Sequence, residues 1–436
     1  MSMYKFDFKN ADEIKNKSAE LGAPIGFSEN YGVFSQKVYV EPGLTLKNAL
    51  AVHPMEAFDG TAAGAPGELT IRRYGRFAES GAGLIWFEAV AVQDDARTSP
   101  RQLMLTKNNA DDYKRLVEMI KKSAGSDVKI ICQLTHSGRY SKPRALIASR
   151  NSILDPRLEL DPSYPCVSDD YLKRAEDAFE DVAVMSRDAG FDGVDVKACH
   201  KYLIAELLGA FGRENSEYGG SYENRTRMFK NVIKRVKDRL GSSYPVASRF
   251  SLSDVIPYPD GFGVPANSDD PHAVDLTEPL RLIGEINGLG VNLLNITMGV
   301  PYYNSHINRP FDEGSYLPPF HPLASLGNFI RHIGTAQKAY PDMTFVGTGY
   351  SYLREFTIGA AAYAIENKLA KVIGLGRGAF AYKGFAADML DGFMDPKKCC
   401  IACSKCTQIM RAGGATGCPI RDSEAYMPIY RQYCEM

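Results

Sequence analysis

The sequence predicts an α/β protein built on a (β/α)8 TIM barrel, with an irregular N-terminal leader and a short Cys-rich C-terminal extension. Two observations carry that expectation. Short apolar runs alternate with long amphipathic ones up to about residue 395, the signature of β/α units. There are eight of the short runs, which suits a closed barrel better than an open doubly wound sheet. A chain of 436 residues with 44% hydrophobic content can bury the large core that such a barrel requires.

The candidate strands are 49–53, 83–92, 128–134, 193–197, 246–250, 291–297, 344–347 and 371–376. Helical patterns occupy 169–188, 223–239, 276–287 and 353–367, and the Gly-containing exits Ala189-Gly190 and Gly288-Leu289-Gly290 end two of them. Polar residues and glycines follow the strands' carboxyl ends, where barrel enzymes carry their sites. Strand one runs into His53-Pro54-Met55-Glu56, strand two contains Glu88-Ala89, and strand three ends in Gln133-Leu134-Thr135-His136. Strand four leads into Lys197-Ala198-Cys199-His200, and strand five carries Arg249. Strands seven and eight end in Gly347-Thr348-Gly349 and Gly376-Arg377-Gly378, the loops that hold a phosphate in many barrels. Backbone N–H groups opened by glycine, with Arg377 beside them, would cradle a dianion. The competing reading is that these glycines serve only tight turns.

Charge and cysteine usage exclude several classes. Lys and Arg total 51 against 52 Asp and Glu, so no global field draws the chain to nucleic acid or anionic lipid. Residues 1–17 contain no apolar signal core, and no run of 18 apolar residues occurs, so a cytoplasmic protein without a membrane partner is expected. Six of the nine cysteines fall in the last 38 residues, which argues against a dispersed disulfide framework. Among them Cys400, Cys403 and Cys406 stand two residues apart, and Cys418-Pro419 follows after eleven more. That spacing suits a cubane iron–sulfur cluster and matches paired zinc knuckles poorly. The bland alternative is a set of reduced thiols with no metal. Cys399 and Cys434 lie outside the pattern.

The segments Leu46-Lys47-Asn48, His53-Pro54-Met55, the run from Gln133 to Arg139, His200 to Leu203 and Tyr218 to Arg225 together resemble the Old Yellow Enzyme group of FMN-dependent ene-reductases. With the Cys run, the chain is similar to the iron–sulfur branch that includes 2,4-dienoyl-CoA reductase and trimethylamine dehydrogenase. The resemblance implies a leader over 1–43, an FMN-binding barrel over 44–395 and a [4Fe-4S]-binding extension over 396–436. It implies that Pro54, Met55 and Ala89 surround the isoalloxazine, that Gln133 binds its pyrimidine edge, and that Arg249 sits near N1 and the C2 carbonyl. A fixed guanidinium there is physically sensible, because reduction leaves negative charge on that edge. Gly349, Gly376 and Arg377 would bind the phosphate, His200 would anchor an activating carbonyl, and Tyr202 would donate a proton to the carbon next to it. Cys400, Cys403, Cys406 and Cys418 would ligate the cluster.

Two positions depart from the family pattern. Lys197 stands where many members carry the first histidine of the anchoring pair, and Glu56 where some carry a flavin-tuning cysteine; a lysine there can donate to a carbonyl or carboxylate, which implies either a more anionic substrate or a shifted anchor. The larger relatives continue into FAD- and NAD-binding domains, whereas this sequence ends at Met436, so NADH, NADPH or a separate electron-transfer protein is the expected reductant. A small-molecule substrate is implied, and a homo-oligomer is left open. The runner-up function is oxidative amine demethylation, with Phe58, Tyr302 and Tyr303 as a cage. From other classes come a Schiff-base aldolase using Lys197 and an electron-carrying subunit without a substrate.

Overall fold

The computed structural model describes residues 4–435; residues 1–3 of the leader and Met436 of the extension lie outside them. Eight parallel strands close in chain order into one barrel: β1 Leu50–Val52, β2 Leu84–Ala91, β3 Lys129–Thr135, β4 Gly193–Val196, β5 Val246–Ser251, β6 Leu293–Thr297, β7 Thr344–Gly347 and β8 Val372–Leu375. Pairing of Ile373 with Leu50 and of Leu375 with Val52 shuts the ring. Each expected strand is present, with ends within two residues of those read from the sequence.

The strands read as continuous apolar runs because both of their faces are buried. Side-chain alternation divides each strand between two cores. Leu50, Ile85, Phe87, Ile130 and Cys132 face the outer helices, whereas Ala51, Leu84, Trp86, Ile131 and Val346 fill the barrel interior. β2 carries a register shift between Phe87 and Val90, an irregularity that places Glu88 and Ala89 off the regular pleat.

The leader is more regular than expected. It contains the helix Ala11–Glu20 and an antiparallel hairpin, Val38–Val40 paired with Leu44–Leu46, whose turn spans the boundary expected at 43/44. Val38, Val40, Leu44 and Leu46 join the interior layer and plug the barrel's amino-terminal end. Nothing in the leader's composition announces this, because each strand is three residues long and owes its order to the surface it covers.

The helix Asp169–Asp188 matches its expected span, with Ser168 capping Tyr171 N at 3.2 Å. The helix expected over 223–239 is two, Tyr222–Arg225 and Arg227–Leu240, broken where Thr226 Oγ1 bonds the Tyr222 carbonyl at 2.8 Å. The helix expected from 353 begins at Thr357, because Arg354 takes φ 53° and its guanidinium is held by Asp312 Oδ2 at 3.0 Å. The extension adds helices Lys405–Arg411 and Ser423–Cys434. It lies on the barrel's carboxyl-terminal rim, where Thr416 N donates to the Ala57 carbonyl at 2.7 Å and Asp422 pairs with Arg72 at 2.6 Å. Among the described residues no helix is long and apolar enough to cross a membrane.

Leu46 is fully buried in the plug, so Leu46→Ala is expected to cost about 2–5 kcal/mol through lost transfer energy and a residual cavity. Chemical unfolding with a constant slope checks this; a loss below about 1 kcal/mol would mean that the hairpin adds little to the barrel.

Candidate active site

The carboxyl ends of the strands open into a cavity of about 740 Å³, a size that takes a cofactor together with a small ligand. Pro54, Met55 and Gln133 line it from the first and third strands, and Lys197, His200 and Tyr202 from the turn after β4. Arg249, Gly349, Gly376 and Arg377 complete the expected set. Ala89 does not line the cavity. It is fully buried, and its carbonyl accepts from Gln102 Nε2 at 3.3 Å.

The most tightly organised part of the wall is centred on Glu56. Lys197 Nζ donates to Glu56 Oε1 at 2.9 Å, the Tyr202 hydroxyl donates to the same oxygen at 3.1 Å, and Thr98 Oγ1 donates to Oε2 at 3.2 Å. Tyr202 and Tyr302 share a hydroxyl contact at 3.0 Å, and Lys197 Nζ lies 3.7 Å from the centre of the Tyr202 ring. Burial, followed by Glu56 and Tyr302, holds the Tyr202 hydroxyl well above its usual value, so it keeps its proton. The loop bearing Glu56 is held from below, because Ala57 N donates to Glu88 Oε2 at 3.0 Å. Glu88 is clamped in turn by Arg73, which Asp59 also grips at 2.9 Å.

His200 and Lys201 both adopt left-handed backbone, with φ 66° and 57°, a conformation that costs about 1–3 kcal/mol per non-Gly residue. A buried ion pair between Lys201 and Asp254 at 2.9 Å holds the turn there. Asn308 Nδ2 faces the Met298 carbonyl at 3.4 Å and donates to Thr297 Oγ1 at 2.6 Å, so it also donates to His200 Nε2 at 3.3 Å. His200 then carries its hydrogen on Nδ1. Burial, and then Arg249 and Lys197, push its pKa well below the ordinary value and keep the ring neutral.

Arg249 is 8% exposed, and among the described residues its guanidinium forms no ion pair, although Asp195 and Glu56 act on it from further off. Its Nη1 donates to the Pro54 carbonyl at 2.9 Å while Nε has no acceptor, and burial lowers its pKa. A buried cation in this state calls for an anionic ligand. Behind it, Asp195 receives Trp86 Nε1 at 2.7 Å, Gln133 Nε2 at 2.6 Å and Arg249 N at 2.7 Å. Burial raises the Asp195 carboxyl to about 6. Because Gln133 spends its amide N–H inward, its carbonyl oxygen is left for the cavity.

His53 is structural. Asn295 Nδ2 donates to its Nδ1 at 3.0 Å, and its Nε2 meets Thr348 Oγ1 at 3.1 Å, whose proton goes to the Ile296 carbonyl. Gly374 is required beneath it, since a Cβ there would meet the imidazole at 2.4 Å. At the other end of the cavity Gly349 takes φ 101°, and Arg377 Nη1 is buried without an acceptor, which fits a phosphate. His136 is occupied by Tyr171 and Gly138 N. His306, fastened to Tyr316, and Tyr303, under Arg157, stand outside the cavity lining.

Cys400, Cys403, Cys406 and Cys418 line one small enclosed cavity, whereas Cys399 and Cys434 do not. Burial raises the Cys418 thiol to about 12, with Cys400 and Cys406 adding to it. Burial raises Cys406 as well, with Arg377 and Arg309 opposing it. Arg421 N donates to Cys418 Sγ at 3.4 Å. Among the described residues no three His, Cys, Asp or Glu groups are set for a single metal ion. Thiolates around a cubane stand at separate corners, and a thiol-lined cavity with a backbone N–H directed at sulfur fits that group. Cys406, Arg377 and Phe380 form a wall shared with the larger cavity.

A closed barrel whose carboxyl ends open into one cavity lined by Arg249, Arg377, His200 and Tyr202 is the architecture of a barrel enzyme. The family described as NADH:flavin oxidoreductase / NADH oxidase matches residues 39–262, and the chain belongs to it. This bears out the Old Yellow Enzyme kinship and lends the aldolase reading no support; Lys197 is paired with Glu56. NADPH dehydrogenase of Clostridium acetobutylicum is 27% identical over 60% of this chain and 76% of its own length. Cinnamate reductase of Clostridium sporogenes is 28% identical over 63% of this chain, but only 43% of that protein is matched. A solved 2-naphthoyl-CoA reductase complex superposes with TM-score 0.71 at 16% identity, covering 93% of this chain and 58% of that one. The chain thus spans about half the length of the last two.

Arg249→Ala is expected to weaken FMN retention and to slow flavin reduction by about 10²–10³-fold, the usual cost of deleting one fixed donor to developing charge. Wild-type FMN content and reduction potential in the variant would remove Arg249 from the cofactor site.

Proposed function

We propose that the chain is an FMN-dependent ene-reductase that reduces an activated C=C bond of a small molecule, with FMN held over the barrel of residues 44–395. The leader 1–43 and the extension 396–436 complete the arrangement, the latter holding a [4Fe-4S] cluster on Cys400, Cys403, Cys406 and Cys418. The observation that carries the reading is a buried Arg249 that forms no direct ion pair among the described residues, in one cavity with a protonated Tyr202 and a neutral His200. When bound, FMN would supply the hydride, its two electrons coming from NADH, NADPH or a separate electron-transfer protein. The wall shared through Cys406 supports electron entry from the cluster side.

The chain's own residues supply binding and proton control. His200 donates from Nδ1 to the substrate carbonyl and draws charge from the double bond. Tyr202 delivers its proton to the α carbon. The oxygen left behind is met by the Tyr302 hydroxyl at 3.0 Å and lies in the field of the Lys197 ammonium. Glu56 keeps that ammonium in place. Amine demethylation is the less supported reading: Lys197, Arg249, Arg309, Arg377 and Arg411 line the cavity against a single carboxylate, Glu56, which disfavours a cationic substrate. Of the suggested cage, Phe58 and Tyr302 line the cavity and Tyr303 does not.

Tyr202→Phe is expected to leave flavin reduction by NAD(P)H nearly unchanged and to slow flavin reoxidation by an enone by about 10²–10⁴-fold. Stopped-flow measurement of the two half-reactions decides this, and equal loss in both would demote Tyr202 to cofactor support. Cys403→Ser is expected to abolish bound iron and sulfide in anaerobic preparations while circular dichroism stays that of the wild type. Absence of iron from the wild type itself would sink the cluster, and zinc in its place would make the motif structural.

A further inference from the structure

Among the described residues the guanidinium of Arg309 has no hydrogen-bond or ion-pair partner. Among the described residues it donates to no acceptor, and no carboxylate lies within 4.0 Å, although its backbone N is fixed to the Ser305 carbonyl at 2.9 Å. It lines the cavity together with Arg377 and Arg411. Those two are held only by neutral groups, Arg377 by the Pro310 carbonyl and Arg411 by Ser315 Oγ at 2.6 Å. Half-buried, Arg309 is repelled by these two neighbours, with Cys406 and Tyr302 acting the other way. Its field reaches the reacting wall, since it adds to the burial that lowers His200 and opposes the burial that raises Tyr302. Cys406 and a cofactor phosphate offset part of this charge, and among the described residues no carboxylate pairs with any of the three cations.

We propose that Arg309, assisted by Arg411, binds the carboxylate of an α,β-unsaturated acid, so that the preferred substrate is an unsaturated carboxylate and not a neutral enone. The inference rests on the ene-reductase reading of the same cavity. A carboxylate is a poor activating group, because hydride addition at the β carbon places a second negative charge beside the first. A guanidinium aligned with both oxygens offsets that charge, and Arg does so with paired N–H groups where a single ammonium could not. The apolar body of such an acid has a surface in Leu154, Leu158, Leu160 and Phe58, which line the same cavity. In the reaction a hydride from the reduced cofactor forms the new C–H bond at the β carbon and the C=C π pair moves to the α carbon. Tyr202 supplies the proton that closes it, the carboxylate is unchanged, and the nicotinamide or protein donor is oxidised by two electrons.

The test titrates oxidised, FMN-loaded enzyme with cinnamate and with methyl cinnamate, following the shift in flavin absorbance. Wild type is expected to bind the acid at least about tenfold more tightly than the ester. Arg309→Gln should weaken the acid by about 10- to 100-fold, the range for losing a charge-assisted pair, and leave the ester nearly unchanged. Arg309→Lys should recover part of the difference. Equal wild-type affinity for acid and ester, or an equal loss of both in Arg309→Gln, overturns the proposal. So does loss of FMN or iron from Arg309→Gln with the acid preference intact, which would assign Arg309 to the phosphate or the cluster. If that variant does not fold, Arg411→Gln is read instead, with a smaller acid-specific loss expected and unchanged acid affinity counting against the proposal. Reoxidation of reduced enzyme separates this inference from the reading beneath it. Turnover of the ester without acid preference sinks only the carboxylate site, whereas acid-selective binding with no reoxidation by either compound sinks only the ene-reductase.

Discussion

The site depends on one buried carboxylate. Asp195 sits at the end of β4 and accepts hydrogen bonds from Trp86 on β2, Gln133 on β3 and the backbone of Arg249 on β5, so one anion ties four strands at the depth where the cavity begins. Three donors compensate much of the cost of burying it. The consequence is directional. Gln133 must turn its carbonyl oxygen to the cavity, and Arg249 must leave β5 at a fixed height, with only the Pro54 carbonyl to receive its guanidinium. The cavity floor is thereby polarised before any ligand arrives, which is the preorganisation that charge-developing reactions need.

Above that floor the wall is built from loops whose strain is carried by ion pairs. The left-handed His200 and Lys201 are retained by Lys201–Asp254. The loop after β1 is retained by Glu88, itself compensated by Arg73. These groups never touch the cavity contents. They convert a flexible rim into one that presents Glu56, Lys197 and Tyr202 in a single hydrogen-bonded arrangement. The extension closes the same rim through Asp422 and Thr416, bringing the four-cysteine cavity against the wall that Arg377 and Arg309 electrify.

The two departures from the family pattern turn out to be one feature. Lys197 and Glu56 lie 141 residues apart and form a 2.9 Å ion pair. A lysine at that position without the glutamate would leave a buried ammonium unpaired, and the reverse would leave a buried carboxylate beside a tyrosine that must keep its proton. Together they supply charge next to Tyr202 without a net excess, so the surplus positive potential of the cavity comes from the arginines.

Much of the fold was legible in the sequence, because the eight strands are buried on both faces and their apolar runs are interrupted by amphipathic helices with glycine exits. The strand-end residues were legible for the same reason: a barrel puts the residues after each strand on one rim, so Gln133, Arg249, Gly349 and Arg377 share a cavity whatever their spacing. Residue order also placed the four cysteines of the small cavity. It did not show that Ala89 turns away at the irregularity in β2, that the leader folds into a plug, or that Asp195 governs the floor. Nor did it mark Arg309, which no local signal separates from any other loop arginine. Periodicity reports which face of an element is covered. Whether a charged side chain has a partner depends on groups brought together from distant parts of the chain, and that is decided only when the barrel closes.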